Sequence, residues 1–149
     1  MTVTAAPERI LVIANRTCPC EHMLEAVRDL AGPRSTVLLV APALNRRLAH
    51  WVSDSDAAVA AARDRLTGAV GYLRERGVEA EGCVGDADPL VAIHDALAGF
   101  AAEALVISSW PEGESNWLER NLLQRVRAEL SIPVEHVVSH LGLPATMLR

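Results

Sequence analysis

The segment ALVISSWPEGESNWLERNLLQRV, Ala104 to Val126, decides the fold, because it reads as a buried strand running into a turn and then a helix. Ala104 to Ile107 is an apolar run entering two serines, the composition of an interior parallel strand covered on both faces, and it predicts a strand stop near Ser109. Pro111 and Gly113 punctuate the loop that follows. Ser115 is placed to cap a helix whose apolar positions Leu118, Leu122, Leu123 and Val126 recur at helical spacing. The free amides of its first turn would point at the loop. In an α/β protein this is where ligands sit.

Working outward, the same alternation of elements repeats. ILVIAN, Ile10 to Asn15, is a continuous apolar strand. After the loop RTCPCEH, a helix is predicted from about Glu21 to Ala31, with Met23, Leu24, Val27 and Leu30 inward and Gly32 and Pro33 ending it. STVLLVAP, Ser35 to Pro42, is the second strand. A polar stretch around Ser53 to Asp56 supplies caps for a helix reaching about Arg76, whose buried stripe is Val59, Leu66, Val70 and Leu73 and whose stop is Gly77. VEAEGCVG alternates at first, which predicts a third strand at an outer position of the sheet, with Gly85 and Asp86 turning the chain. Asp88 followed by Pro89 reads as an N-cap and first-turn proline of a helix that carries Leu90, Ile93, Leu97 and Phe100 inward. Five strands alternating with four helices predict a single open five-stranded parallel sheet of order 3-2-1-4-5, Rossmann-like, with helices on both faces. That order places a topological switch point between the strands ending at Asn15 and at Ser109.

Composition limits the classes of function. The chain has 149 residues, 50% of them hydrophobic, and a mean hydropathy of +0.18. This fits one domain over 1–149, with its core at about 10–138 and a C-terminal tail at 139–149. No apolar run approaches the roughly 18 residues of a membrane span. The opening MTVTAAPER lacks the apolar stretch of a secretory signal, which predicts a cytoplasmic protein. Net charge is −5 and every basic side chain is arginine, interspersed with acidic residues. No basic stripe points to nucleic acid.

In order and spacing, Ile10 to Val138 resembles the universal stress protein family. ILVIANRT is similar to its opening strand, whose pattern ends in Asp-x-Ser, with Asn15 and Thr17 at the Asp and Ser positions. VGDADPLVAIHDAL is similar to its Gly-Asp turn and following helix, SIPVEHVV to its closing strand, and Val40 falls where the family lines an adenine pocket. Nucleotide-binding members carry Gly-x-x-Gly, nine residues, then Gly-Ser or Gly-Thr. At those positions this chain has Ser108, Pro111, Asn121 and Leu122, so both glycines, the later glycine and the hydroxyl are replaced. Proline also lacks the amide a phosphate would use. Glu112 and Glu114 add negative charge where polyphosphate would lie, which Arg16, Arg46, Arg47 and Arg120 would offset only by converging. The resemblance implies a nucleotide-linked or nucleotide-free regulatory role, and the replaced motif predicts a regulatory or interaction module with no cofactor and without tight ATP binding. With no Gly-x-Ser-x-Gly elbow, Walker loop or zincin helix in the sequence, an enzyme is not expected. The alternative is a weak nucleotide binder using a noncanonical loop, with Asn15, Arg16, Thr17, Val40, Gly85, Asp86, Ser108 and Ser109 as candidate ligand residues.

A third reading comes from Cys-Pro-Cys-Glu-His. Cys18, Cys20 and His22 offer three metal ligands, or two thiols before a helix N-terminus that lowers thiol pKa. Their spacing is not the Cys-x-x-Cys of common zinc sites and no fourth ligand is identifiable, so a metal site is not expected. His94 and His136 lie near no second acid-base pair in sequence, His50 adjoins Trp51 in a loop and His140 lies in the tail, so helix-surface or packing roles are expected for all four. Finally, the resemblance implies a homodimer through the last strand, with Val134, Val137 and Val138 at the contact. The rival is a monomer in which the apolar tail SHLGLPATMLR folds over that edge.

Overall fold

Ile10, Leu11, Val12 and Ile13 are all fully buried, and a strand buried on both faces needs neighbours on either side and helices above and below. The computed structural model describes residues 6–14, 21–44, 54–86, 88–109 and 122–138. They form β1 (Arg9–Ile13), α1 (Glu21–Leu30), β2 (Thr36–Leu44), α2 (Asp54–Glu75), β3 (Glu79–Asp86), α3 (Pro89–Gly99), β4 (Ala104–Ser109), α4 (Leu122–Glu129) and β5 (Val134–Val138). Every strand pairing is parallel and the sheet order is β3-β2-β1-β4-β5, as the pattern of apolar runs predicts.

Alternate residues of the strands feed two cores. Ile10, Val12, Val37, Leu39 and Val106 meet Met23 and Val27 of α1 and Leu66 and Leu73 of α2 on one face. Leu11, Ile13, Leu105 and Ile107 meet Leu90 and Ile93 of α3 and Leu122 and Val126 of α4 on the other. Each such side chain stabilises the fold by about 1.5–3 kcal/mol through burial.

The helix signals operate as their residue types require. Asp88 is extended (φ −80°, ψ 113°), and its Oδ1 accepts from the Leu90 amide at 3.0 Å with Pro89 in the first turn. At the end of α2, Gly77 adopts φ +81°. The Val78 amide donates to the Leu73 carbonyl at 2.9 Å and the Gly77 amide to that of Arg74 at 3.1 Å. This paired arrangement satisfies the last carbonyls of the helix and needs a left-handed residue at its centre. Gly77→Ala is therefore expected to lower stability by about 1 kcal/mol, read as a lower urea midpoint with an unchanged slope.

Two boundaries differ from expectation. Gly85 and Asp86, expected in a turn, belong to β3, because β2 runs past Pro42 to Leu44 and the two strands pair as Pro42↔Gly85 and Leu44↔Asp86 across a bulge. The bonding pattern explains why Pro42 does not stop β2. The Thr36 amide donates to the Glu8 carbonyl at 2.7 Å, and the Val40 carbonyl accepts from the Ala14 amide at 2.9 Å. Even-numbered residues of β2 thus address β1 and odd-numbered ones address β3. The amide that Pro42 lacks would face β1, which ends at Ile13, so the ladder to β3 loses nothing.

The same alternation determines what the outer strands show to the outside. Since odd-numbered residues of β2 bond to β3 and Val37 is level with Ala80, the main-chain groups of Ala80, Gly82 and Val84 point away from the sheet. On the other edge the Leu105 amide donates to the Pro133 carbonyl at 2.9 Å. Odd-numbered residues there address β4, and Val134, His136 and Val138 face outward.

Candidate functional site

The chain leaves β1 toward β2 on one side and reaches β4 on the other, so the carboxyl ends of β1 and β4 lie side by side, with Ile13 level with Ile107. This is the switch point where an open parallel sheet forms its crevice. Ala14 and Ser108 stand at its floor, and Ser108 is a fully buried polar side chain. Ser109 is the last residue of β4, level with Val138. Leu122, at the first turn of α4, is 4% exposed and packs with Leu11, Ile13 and Ile107. The position aligned with the hydroxyl of the universal stress phosphate motif is therefore part of the apolar core.

The other candidate residues are spread along the sheet. Val40 is level with Ile13 and only 1% exposed. Its wall is shared with Gly85: a Cβ on Gly85 would lie 2.6 Å from Val40 Cγ1 and 3.1 Å from Ala92 Cβ. Asp86 Oδ1 accepts from the Asp88 amide at 2.9 Å, so this carboxylate shapes the turn into α3. β3 and β4 are three strand spacings apart, roughly 14 Å. Gly85 and Asp86 thus share with Ser108 and Ser109 only a ligand of that length. Asn15, Arg16 and Thr17 lie outside the described residues, as do Arg46, Arg47, Pro111, Ser115, Arg120, Asn121 and the tail.

The thiol and histidine readings divide in the same way. Cys18 and Cys20 lie outside the described residues, and the His22 side chain is likewise not described. Among the described residues no group of three His, Cys, Asp or Glu side chains is placed to hold a metal ion. Cys83, on β3, has its thiol pKa raised by burial, which leaves less thiolate at neutral pH and opposes a nucleophilic role. His94 Nε2 lies 3.5 Å from Glu129 Oε1, linking α3 to α4. His136 is held below the usual imidazole range, first by desolvation and then by the Arg127 guanidinium. Sequence reasoning missed a groove between α2 and the outer side of β3, lined by Arg63, Leu66, Val70, Gly71 and Arg74. Its signals were Gly71 within α2 and Gly82 within β3.

The geometry defines an open parallel α/β domain with a topological switch point between β1 and β4, and comparison with known proteins specifies that class. No family model matches the sequence, and no curated protein matches it. Among solved structures, a protein from the universal stress protein family of Burkholderia pseudomallei is similar with a TM-score of 0.68 at 17% identity, over 92% of this chain and 100% of that one. The hypothetical protein MJ0577, the subject of a structure-based assignment of biochemical function, is similar with a TM-score of 0.65 at 14% identity, over 93% of this chain and 100% of that one. The chain has the fold of the universal stress proteins. Among the described residues no helix is long and apolar enough to cross a membrane.

Proposed function

We propose that this chain is a universal-stress-type regulatory or interaction module that does not hold ATP tightly, performs no catalysis, and works in the cytoplasm as a homodimer paired through β5. The observation that carries the reading is Leu122. A phosphate cradle needs a small or hydroxyl-bearing residue at the start of the helix that follows β4, with amides free to approach the ligand. This chain sinks a leucine there into the core under α3 and α4. Ser108, fully buried at the end of β4, stands where the motif's first glycine would be. The dimer is supported by the place of β5 as the outer strand of the described sheet, with three outward-facing main-chain positions and with Val134 and Val137 packed against the two cores. An outer strand is a template for another strand.

Calorimetric titration with Mg-ATP tests the nucleotide part. Binding weaker than about 100 μM, or none, is expected. A dissociation constant of about 1 μM, near −8 kcal/mol, would overturn the reading.

A further inference from the structure

The two edges of the sheet differ. β3 is eight residues long and, unlike β5, carries three carboxylates, at Glu79, Glu81 and Asp86. Of its outward-facing positions the first is already covered: Arg74 Nε donates to the Ala80 carbonyl at 3.0 Å. Gly82 and Val84 come next, and no described strand lies beyond them. Their donors and acceptors alternate at strand spacing.

Beside these two residues lies the groove of about 920 Å³ between α2 and β3. At Gly82 a Cβ would stand 3.1 Å from Leu66 Cβ and 3.3 Å from Val70 Cγ2, so α2 lies close against the strand there. At Gly71 the groove is open, because nothing lies within 4 Å of where its Cβ would be. Arg63 and Arg74 are three helical turns apart, roughly 16 Å, which is the length of about five strand residues. Charge is divided across the groove. The α2 side of the groove has the two arginines, whereas Glu79 and Glu81 alternate with Ala80 and Gly82 along β3, Glu81 standing with Gly82, Cys83 and Val84 on the strand side of the groove.

We propose that this edge and groove receive an extended segment of a partner protein. It adds as a sixth strand through Gly82 and Val84, with apolar side chains on Leu66 and Val70, a carboxylate at Arg63, and basic side chains on the opposite face against Glu79 and Glu81. An extended peptide is the occupant because only another strand matches both donors and acceptors at this spacing. A second copy of β3 does not fit: pairing the strand with itself brings three carboxylates from each copy onto one ribbon, and like charges opposite one another destabilise a pair. The proposal rests on the reading of the chain as an interaction module and names its surface. Tight Mg-ATP binding would remove that reading without altering a peptide titration, and a flat peptide titration would remove this surface alone.

The test uses a fluorescein-labelled peptide, Asp-Lys-Val-Lys-Val-Lys-Glu, which places acidic and apolar side chains on one face and lysines on the other. Saturable anisotropy below about 1 mM is expected for the full chain. It should weaken about tenfold with Gly71→Trp, which fills the groove from an open position, and about threefold or more with Arg63→Glu. A scrambled peptide of the same composition should bind about tenfold more weakly. Hydrogen exchange at the Gly82 and Val84 amides should slow when the peptide is present. Thermal melting identifies any variant that fails to fold, and Arg63→Glu, at an exposed helix position, keeps the test decisive if Gly71→Trp does. No saturation at millimolar peptide, binding indifferent to the folded variants and to scrambling, or unchanged exchange at both amides overturns the proposal.

Discussion

His136→Pro is expected to separate the proposed homodimer into folded monomers, whereas Val137→Pro damages the monomer itself. The difference follows from the ladder. The Leu105 amide bonds to the Pro133 carbonyl, so Val137 turns its main-chain groups toward β4 and His136 turns them away from it. Proline at 137 removes a bond inside the sheet, at a cost of about 3 kcal/mol or more. Proline at 136 places its ring on the outer edge, where a strand tolerates it, and takes a donor from each copy at the dyad. The dimer should then weaken by about 3 kcal/mol, roughly a hundredfold in dissociation constant. Light scattering after gel filtration at roughly 10 μM protein reads both results. A wild-type monomer would end the dimer reading, and a His136→Pro dimer as strong as wild type would place the interface elsewhere.

Gly85→Ala is the second large effect expected, and it concerns packing. The added methyl would meet Val40 Cγ1 at 2.6 Å and Ala92 Cβ at 3.1 Å. Neither neighbour yields readily. Val40 is 1% exposed in the second strand of the sheet and its branched side chain has few rotamers, while Ala92, also 1% exposed, is held by α3. Overpacking of this kind lowers stability by about 2 kcal/mol, a fall in melting temperature of roughly 4–8 °C for a domain of this size. Differential scanning calorimetry measures it. A melting temperature within a degree of wild type would mean that β3 can move away from α3 freely.

The glycine at 85 also shows where sequence reading stops. In the resemblance to universal stress proteins, Gly85 and Asp86 belong to a turn beside the ligand. In the structure they extend β3, Gly85 is occupied with Val40 and Ala92, and Asp86 holds the Asp88 amide. A glycine and an aspartate read as a turn from local propensity. Here β2 continues to Leu44 beside them, and the added pairing outweighs that propensity.

What the sequence by itself determined is what repeats locally. ILVI and ALVI are apolar on every residue, so they had to be interior strands. Asp88-Pro89 and Gly77 carry their cap chemistry in their own side chains or lack of one, and the order of elements allowed a parallel sheet reversing between β1 and β4. The replacement of the phosphate motif at Ser108, Pro111, Asn121 and Leu122 was equally legible, since it concerns residue identity. Tertiary structure alone decided that Leu122 is sunk in the core, that a groove lies between α2 and β3 at the edge of the described sheet, and that the main chain of position 136 rather than 137 faces outward. Each of these depends on which residue of one strand bonds to which residue of the next. A shift by a single residue reverses every such assignment while leaving the apolar pattern of a strand buried on both faces unchanged.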